Sequence, residues 1–211
     1  MIRPLISLAA VALALAGCST AAEPTRVEVI ERYQAVALSC EFADCADGVV
    51  KPGEPVSIVL HGQARDDQLS ALEDTISQWN AACPSIPLRL GGTHATTMDF
   101  FFVDESDMAS VLPIHVVGNV GLFNYDWDGS NVITGMTVVI ANEIESRELE
   151  HFVLEETTQA MGLINDVDDP ISIFDGGMGR TTSYSTLDQA VIAYHCQSGV
   201  APGMDASELP E

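Results

Sequence analysis

Between Glu155 and Asp166 the chain reads EETTQAMGLIND, a run rich in side-chain oxygen. Glu155 and Gln159 stand four residues apart, so a helix sets them on one face, with Asn165 and Asp166 just beyond. Carboxylate and amide oxygens suit a hard cation of the calcium or magnesium type, and Asp168, Asp169 and Asp175 add more oxygen nearby. Zinc prefers imidazole and thiolate, and amide oxygen serves it poorly. The candidate metal ligands are therefore Glu155, Gln159, Asn165 and Asp166, for a calcium- or magnesium-type ion and not for zinc. The spacing does not follow an EF-hand loop, and a solvated acidic loop of turn-forming Asp and Asn has the same composition. Both readings stand at this level.

Glu156 is the candidate catalytic residue, a carboxylate able to act as general base. With Glu155 it forms a pair that burial could divide into acid and base, as in glycosidases. Neighbouring helical residues point about 100° apart, however, so the two do not converge on one substrate atom. Glu156 also borders the apolar stripe, where a carboxylate can serve structurally by bonding backbone or Thr hydroxyls. His151 lies one turn before Glu155, a spacing that suits metal binding, proton exchange or a plain surface contact. His61, His94, His115 and His195 are scattered singly, and only convergence in space would make ligands of them.

The spacing has a known counterpart. A zinc-peptidase helix carries H-E-x-x-H, extended in metzincins to H-E-x-x-H-x-x-G-x-x-H, where the glycine turns the chain to return a third ligand. The run from Glu155 to Asn165, EETTQAMGLIN, resembles that frame, with Glu156 at the catalytic glutamate and Gly162 at the turning glycine. The three histidine positions hold Glu155, Gln159 and Asn165. Ser172, Ile173 and Phe174 resemble the short S-I-M turn that metzincins place under the metal, with Phe in place of Met. The resemblance implies an α+β, zincin- or metzincin-like fold whose zinc triad has been lost.

The elements that must position these residues follow from periodicity. PVSIVLHG reads as a strand, and DDQLSALEDTISQWNAAC as a helix with Leu69, Leu72, Ile76 and Trp79 on one face. Strands follow in IPLRL, MDFFFV, NVGLFNY and ITGMTVVIA, separated by turn signals. A long helix runs from Glu145 to Gly162, with Leu149, Phe152, Val153 and Ala160 inward and a glycine closing it. Ser185 and Asp188 mark a capping box for a last helix, LDQAVIAYHC. Val27 to Leu38 fits helix and strand alike. The expectation is a mixed, twisted sheet of about four to five strands with a long helix of active-site type and a C-terminal helix.

A formal charge of −23 with only eight Lys and Arg argues against nucleic acid as partner. Arg3, the apolar run LISLAAVALALA and the ending LAGC read as an export signal too short to span a membrane. LAGC resembles the lipobox of bacterial lipoproteins, which implies cleavage before Cys18, lipidation of its thiol and membrane lipid as a partner. Ser19 after that cysteine implies the outer membrane, with the domain facing periplasm or surface. Four further cysteines in an exported chain favour two disulfides; the preferred pairing is Cys40–Cys45, closing a local loop, and Cys83–Cys196, tying two helical segments. The expected organisation is a signal peptide (1–17), lipidated cysteine and tether (18–25), N-terminal segment (26–54), one zincin-like domain (55–204) and an acidic tail (205–211).

Several blocks together resemble the uncharacterised bacterial lipoprotein family called domain of unknown function 2927. These are PVSIVLHG with ISQWN, EETTQAMGLIND, the Ser172–Phe174 block, and Leu187-Asp188 followed by Pro202 to Met204. The resemblance supports fold and location and assigns no activity. The expected function is a lipid-anchored envelope protein that binds a peptide or envelope component as a module or scaffold. The alternative is a peptidase-like or cell-wall-directed hydrolase with Glu156 as general base and an oxygen-ligand metal site.

Overall fold

The segment from Val27 to Leu38 is a helix because its start is locally determined. The Thr25 side chain accepts from the Glu28 N–H and the Glu28 carboxylate accepts from the Thr25 N–H, a complete capping box for α1 (Arg26–Ala37). The computed structural model describes residues 22–39, 46–177 and 181–211. Cys18, Cys40 and Cys45 lie outside the described residues.

After α1 come β1 (Lys51–Pro52), β2 (Val56–His61), α2 (Asp66–Ala82), β3 (Leu88–Leu90), β4 (Thr97–Val103) and α3 (Glu105–Val111). Then follow β5 (Gly121–Trp127), β6 (Val132–Ala141), α4 (Ser146–Ala160) and α5 (Thr186–His195). The fold is α+β. Among the described residues one six-stranded sheet runs β1-β6-β4-β2-β3, with β5 paired to β6. Every pairing is parallel except β5 with β6. β4 alternates buried Met98, Phe100 and Phe102 with half-buried neighbours, the signature of a strand with one face in the core. Helices α2 and α4 pack against each other, α4 packs on β5 and β6, and α1 packs on α5.

Three details depart from the sequence expectation. The sheet has six strands because β1 is included, and β1 carries no apolar alternation. Its Lys51 is buried, its ammonium donating to the carbonyls of His195, Gln197 and Val200, and burial lowers its pKa to about 8. Second, α2 is rotated: Gln68, Ala71, Leu72, Thr75 and Trp79 are buried, while Leu69 and Ile76 are half-exposed. Gln68 can be buried because its oxygen accepts from the Arg65 N–H and its nitrogen donates to Asn142. Third, α3 is a short helix that the periodicity does not announce.

The core extends beyond residues 55–204 in both directions. Val29, Tyr33 and Val36 of α1 and Leu209 of the C-terminal segment belong to the same buried cluster. Cys83, at the end of α2, is bonded to Cys196, at the end of α5, with Cα atoms 5.6 Å apart and 113 residues of sequence between them. A loop of that length removes about 4–5 kcal/mol of unfolded-state freedom in the chain-entropy account.

Candidate functional site

Helix α4 is built to carry side chains into a buried setting at its C-terminal half. Residues 153–160 are all buried, polar ones included. The helix ends at Ala160, and Gly162 follows with φ of +102°. A Cβ at Gly162 would overlap the Val50 carbonyl, so only glycine lets the chain leave the helix against the backbone just before β1. The buried His195 supports this corner. Its Nε2 donates to the Met161 carbonyl, so its Nδ1 accepts from the Tyr33 hydroxyl. Burial and the nearby Lys51 charge push its pKa down to about 3, which keeps the ring neutral.

The residues at the frame's ligand positions are each engaged. Glu155 Oε2 lies 3.2 Å from His151 Nε2, and His151 Nδ1 donates to the Thr181 carbonyl at 2.8 Å. A carbonyl can only accept, so when Glu155 is a carboxylate both ring nitrogens carry hydrogen and the pair is a buried ion pair. Burial works against the charged ring, but the hydrogen bond and charge of Glu155 outweigh it, with help from Thr181 and Asp175. The net effect raises the His151 pKa above its ordinary 6.5. Gln159 donates its amide to Asp166 at 3.0 Å. Asn165 donates to the carbonyls of Val36 and Ser39 and so ties this loop to α1. Thus Gln159 meets Asp166 and Glu155 meets His151, while Asn165 is turned to α1. Among the described residues no group of three His, Cys, Asp or Glu side chains is placed to hold a metal ion.

Glu156 has a different environment. It is only 7% exposed, and its carboxyl makes no hydrogen bond among the described residues. Burial, then the charges of Glu155 and Asp166, raise its pKa well above the ordinary carboxylate value. It sits against Gly121 of β5, where a Cβ would come 2.7 Å from Glu156 Oε1 and 2.9 Å from Phe152 Cδ1. Sequence reasoning did not single out Gly121, although a glycine inside a strand pattern signals close approach by a neighbour.

β5 is an edge. Among the described residues its one pairing is with β6, Gly121 standing opposite Ile140 and Tyr125 opposite Met136. The Ala141 N–H donates to the Val120 carbonyl, which makes that opposed pair hydrogen-bonded. Antiparallel pairs alternate, so Gly121, Phe123 and Tyr125 form the non-bonded pairs and aim their backbone N–H and C=O groups away from β6. Their side chains share one face with α4, where Phe123, Tyr125 and Phe152 pack on the core.

The block after the helix is structural. The Ser172 hydroxyl donates to Asp188 Oδ1 at 2.6 Å, and the N–H groups of Ile173 and Ser185 donate to Oδ2. Asp188 therefore joins the Ser172–Phe174 turn to the start of α5, whose capping box with Ser185 forms.

A family model described as Protein of unknown function (DUF2927) matches residues 27–211. The chain belongs to the DUF2927 family. No curated protein matches it. In this DUF2927 domain the hydrogen bonds of the remaining histidines go to groups outside α4. His61 pairs with Asp99 at 2.7 Å on β2 and β4, His115 bonds the Asn119 carbonyl, and the His94 backbone N–H donates to Ser57. Two surface clefts, of about 170 and 420 Å³, lie beside Gln78 and Glu150 and beside Glu54 and Thr134; neither is lined by Glu155 or Glu156.

Proposed function

We propose that this DUF2927 chain is a lipid-anchored envelope protein, held to the outer membrane through Cys18, whose zincin-like domain binds an extended peptide segment along β5. One observation carries the reading. β5 offers the outward backbone groups of Gly121, Phe123 and Tyr125 beside α4, and the side chains at the frame's ligand positions are already bonded to other protein groups. An unpaired strand edge is complementary to another extended backbone, whose hydrogen bonds supply affinity while side-chain contacts supply selectivity. Phe123, Tyr125 and Trp127 line up along the strand and give apolar contact.

The zincin-like reading is supported by the antiparallel edge strand packed on a long helix, the positive-φ glycine that closes that helix, and the Ser172–Phe174 turn that follows it in sequence. The hydrolase alternative needs a cation beside Glu156; the engagement of Glu155 by His151, of Gln159 by Asp166 and of Asn165 by α1 weighs against it. The test is selection from a phage-displayed peptide library on the domain beginning after Cys18, followed by titration of the synthetic peptide with and without chelator. Binding that survives chelator, with the peptide recovered intact, is the expected result. Chelator-sensitive cleavage that Glu156→Gln abolishes would establish the hydrolase instead.

A further inference from the structure

Helix α2 buries a threonine that its own helix leaves without a partner. Thr75 stands on the inward stripe with Ala71, Leu72 and Trp79 and is only 1% exposed. A buried helical threonine can donate back to the carbonyl four residues earlier, as Thr158 does to Leu154 at 2.6 Å. Thr75 makes no side-chain hydrogen bond among the described residues, and it lines the cleft of about 170 Å³ between α2 and α4. A buried hydroxyl without a partner is costly, and one that borders a cavity can take its partner from a ligand.

The cleft is preformed and negative. Gln78 donates to the Thr182 carbonyl and accepts from the Tyr184 N–H, each at 3.2 Å, which ties the wall at 182–184 to α2. His151 donates to the Thr181 carbonyl and ties the same wall to α4. Asp74 of α2 and Glu150 of α4 line the cleft as exposed side chains, and among the described residues neither carboxylate has a hydrogen bond or an ion pair. None of the described lining residues is basic. Two carboxylates and a hydroxyl oxygen are acceptors, so the complementary ligand is a positively charged donor. The cleft is smaller than the pockets that hold whole ligands, roughly 300 to 1,000 Å³, and suits the end of a chain. Two carboxylates are few for a calcium-type ion, which gathers six or more oxygens. An ammonium carries three N–H donors on one atom and matches the three acceptor groups.

We propose that this cleft binds a primary ammonium group, the end of a lysine side chain or of a free aliphatic amine. Thr75 Oγ1 accepts one N–H from the floor, and Asp74 and Glu150 accept the others from the rim. The chain's formal charge of −23 favours the approach of such cations. No residue of β5 lines the cleft, so the site stands or falls apart from the peptide reading.

The probes are Nα-acetyl-lysine methylamide, n-pentylamine and, as neutral control, Nα-acetyl-norleucine methylamide. Each is titrated at low salt into the chain from Ser19 to Glu211, which contains the whole described core, while the methyl signals of Ala71 and Thr75 are followed by NMR. Saturable shifts with a Kd of about 1–10 mM are expected from the amines and none from the norleucine probe. The paired change Asp74→Asn, Glu150→Gln weakens binding at least about tenfold. Thr75→Val, read at Ala71, weakens it about tenfold while urea unfolding shows the fold retained, because no protein group bonds that hydroxyl. Saturation by the lysine probe makes a protein side chain the source, and saturation by pentylamine alone makes a free amine the source. No saturation by either amine, equal shifts from the norleucine probe, or unchanged binding in the paired variant or in Thr75→Val overturns the proposal. Complete displacement of the amine by equimolar calcium or magnesium chloride would make the cleft a metal site and overturns it too.

Discussion

Replacing Glu156 by Gln should stabilise the protein, and the gain should grow with pH. In the folded chain the carboxyl is buried beside Glu155 and Asp166 and its pKa lies well above the ordinary 4.5. Unfolded, it titrates near that ordinary value. Below it both states hold the proton and the ionisation of Glu156 adds no pH-dependent term. As pH rises, the unfolded chain gains by ionising while the folded chain keeps its proton, and stability falls by about 1.4 kcal/mol per pH unit until the folded value is passed. Each pH unit crossed within this window is a sizeable share of a domain's stability. Gln is nearly isosteric and has no proton to lose. Urea unfolding of both proteins, followed through the fully buried Trp79, gives the difference at each pH while titrations common to both largely cancel. The expected difference is small near pH 4 and widens by about 1.4 kcal/mol per unit above it. A difference that stays constant across the range would mean Glu156 is ionised in the fold, and the reasoning about its proton would be refuted.

Three further outcomes follow from the same geometry. Gly162→Ala should cost at least about 3 kcal/mol in urea unfolding, because φ is +102° and the new methyl meets the Val50 carbonyl, whereas Gly129→Ala, with open space around it, should be nearly neutral. Thr157→Val should stabilise by about 1 kcal/mol, since the Thr157 hydroxyl is buried without a partner among the described residues; destabilisation would reveal a bond to that hydroxyl. Glu155→Gln should bring the His151 pKa from above 6.5 to below it in an imidazole NMR titration, because burial is the largest single influence and Glu155 chiefly opposes it. The sign for stability agrees: the wild-type pair contributes fully below 6.5, and its contribution is lost as pH rises through the raised His151 value.

Much of the scaffold is legible in the sequence because it depends on short-range patterns. The aromatic run in MDFFFV between turn signals, the capping box of Ser185 and Asp188, and the glycine after the long helix are each local signals, and β4, α5 and the end of α4 follow them. The burial of α2 is not legible, because Gln68 enters the core through bonds to Arg65 and to the distant Asn142. Lys51 is similar: a lysine in a strand reads as exposed until the carbonyls around the end of α5 are seen to cage it.

For the candidate site, spacing correctly puts His151, Glu155 and Gln159 on one stretch of α4, but not their partners. Thr181 and Asp166 come from the following loop, and Asn165 turns to Val36 of α1, 129 residues away in sequence. Gly121 and Glu156 meet only when β5 pairs antiparallel at the edge, a topological fact that residue types do not encode.

The central claim is that an extended peptide pairs with the free edge of β5 without a metal ion. Residue-resolved amide exchange, with and without the selected peptide and in the presence of chelator, tests it most directly. The account predicts slowed exchange at Gly121, Phe123 and Tyr125, whose N–H groups face outward, and little change at Leu122 and Asn124, already bonded to β6. Unchanged exchange at those three positions while the peptide is bound, or protection that chelator abolishes, would contradict it.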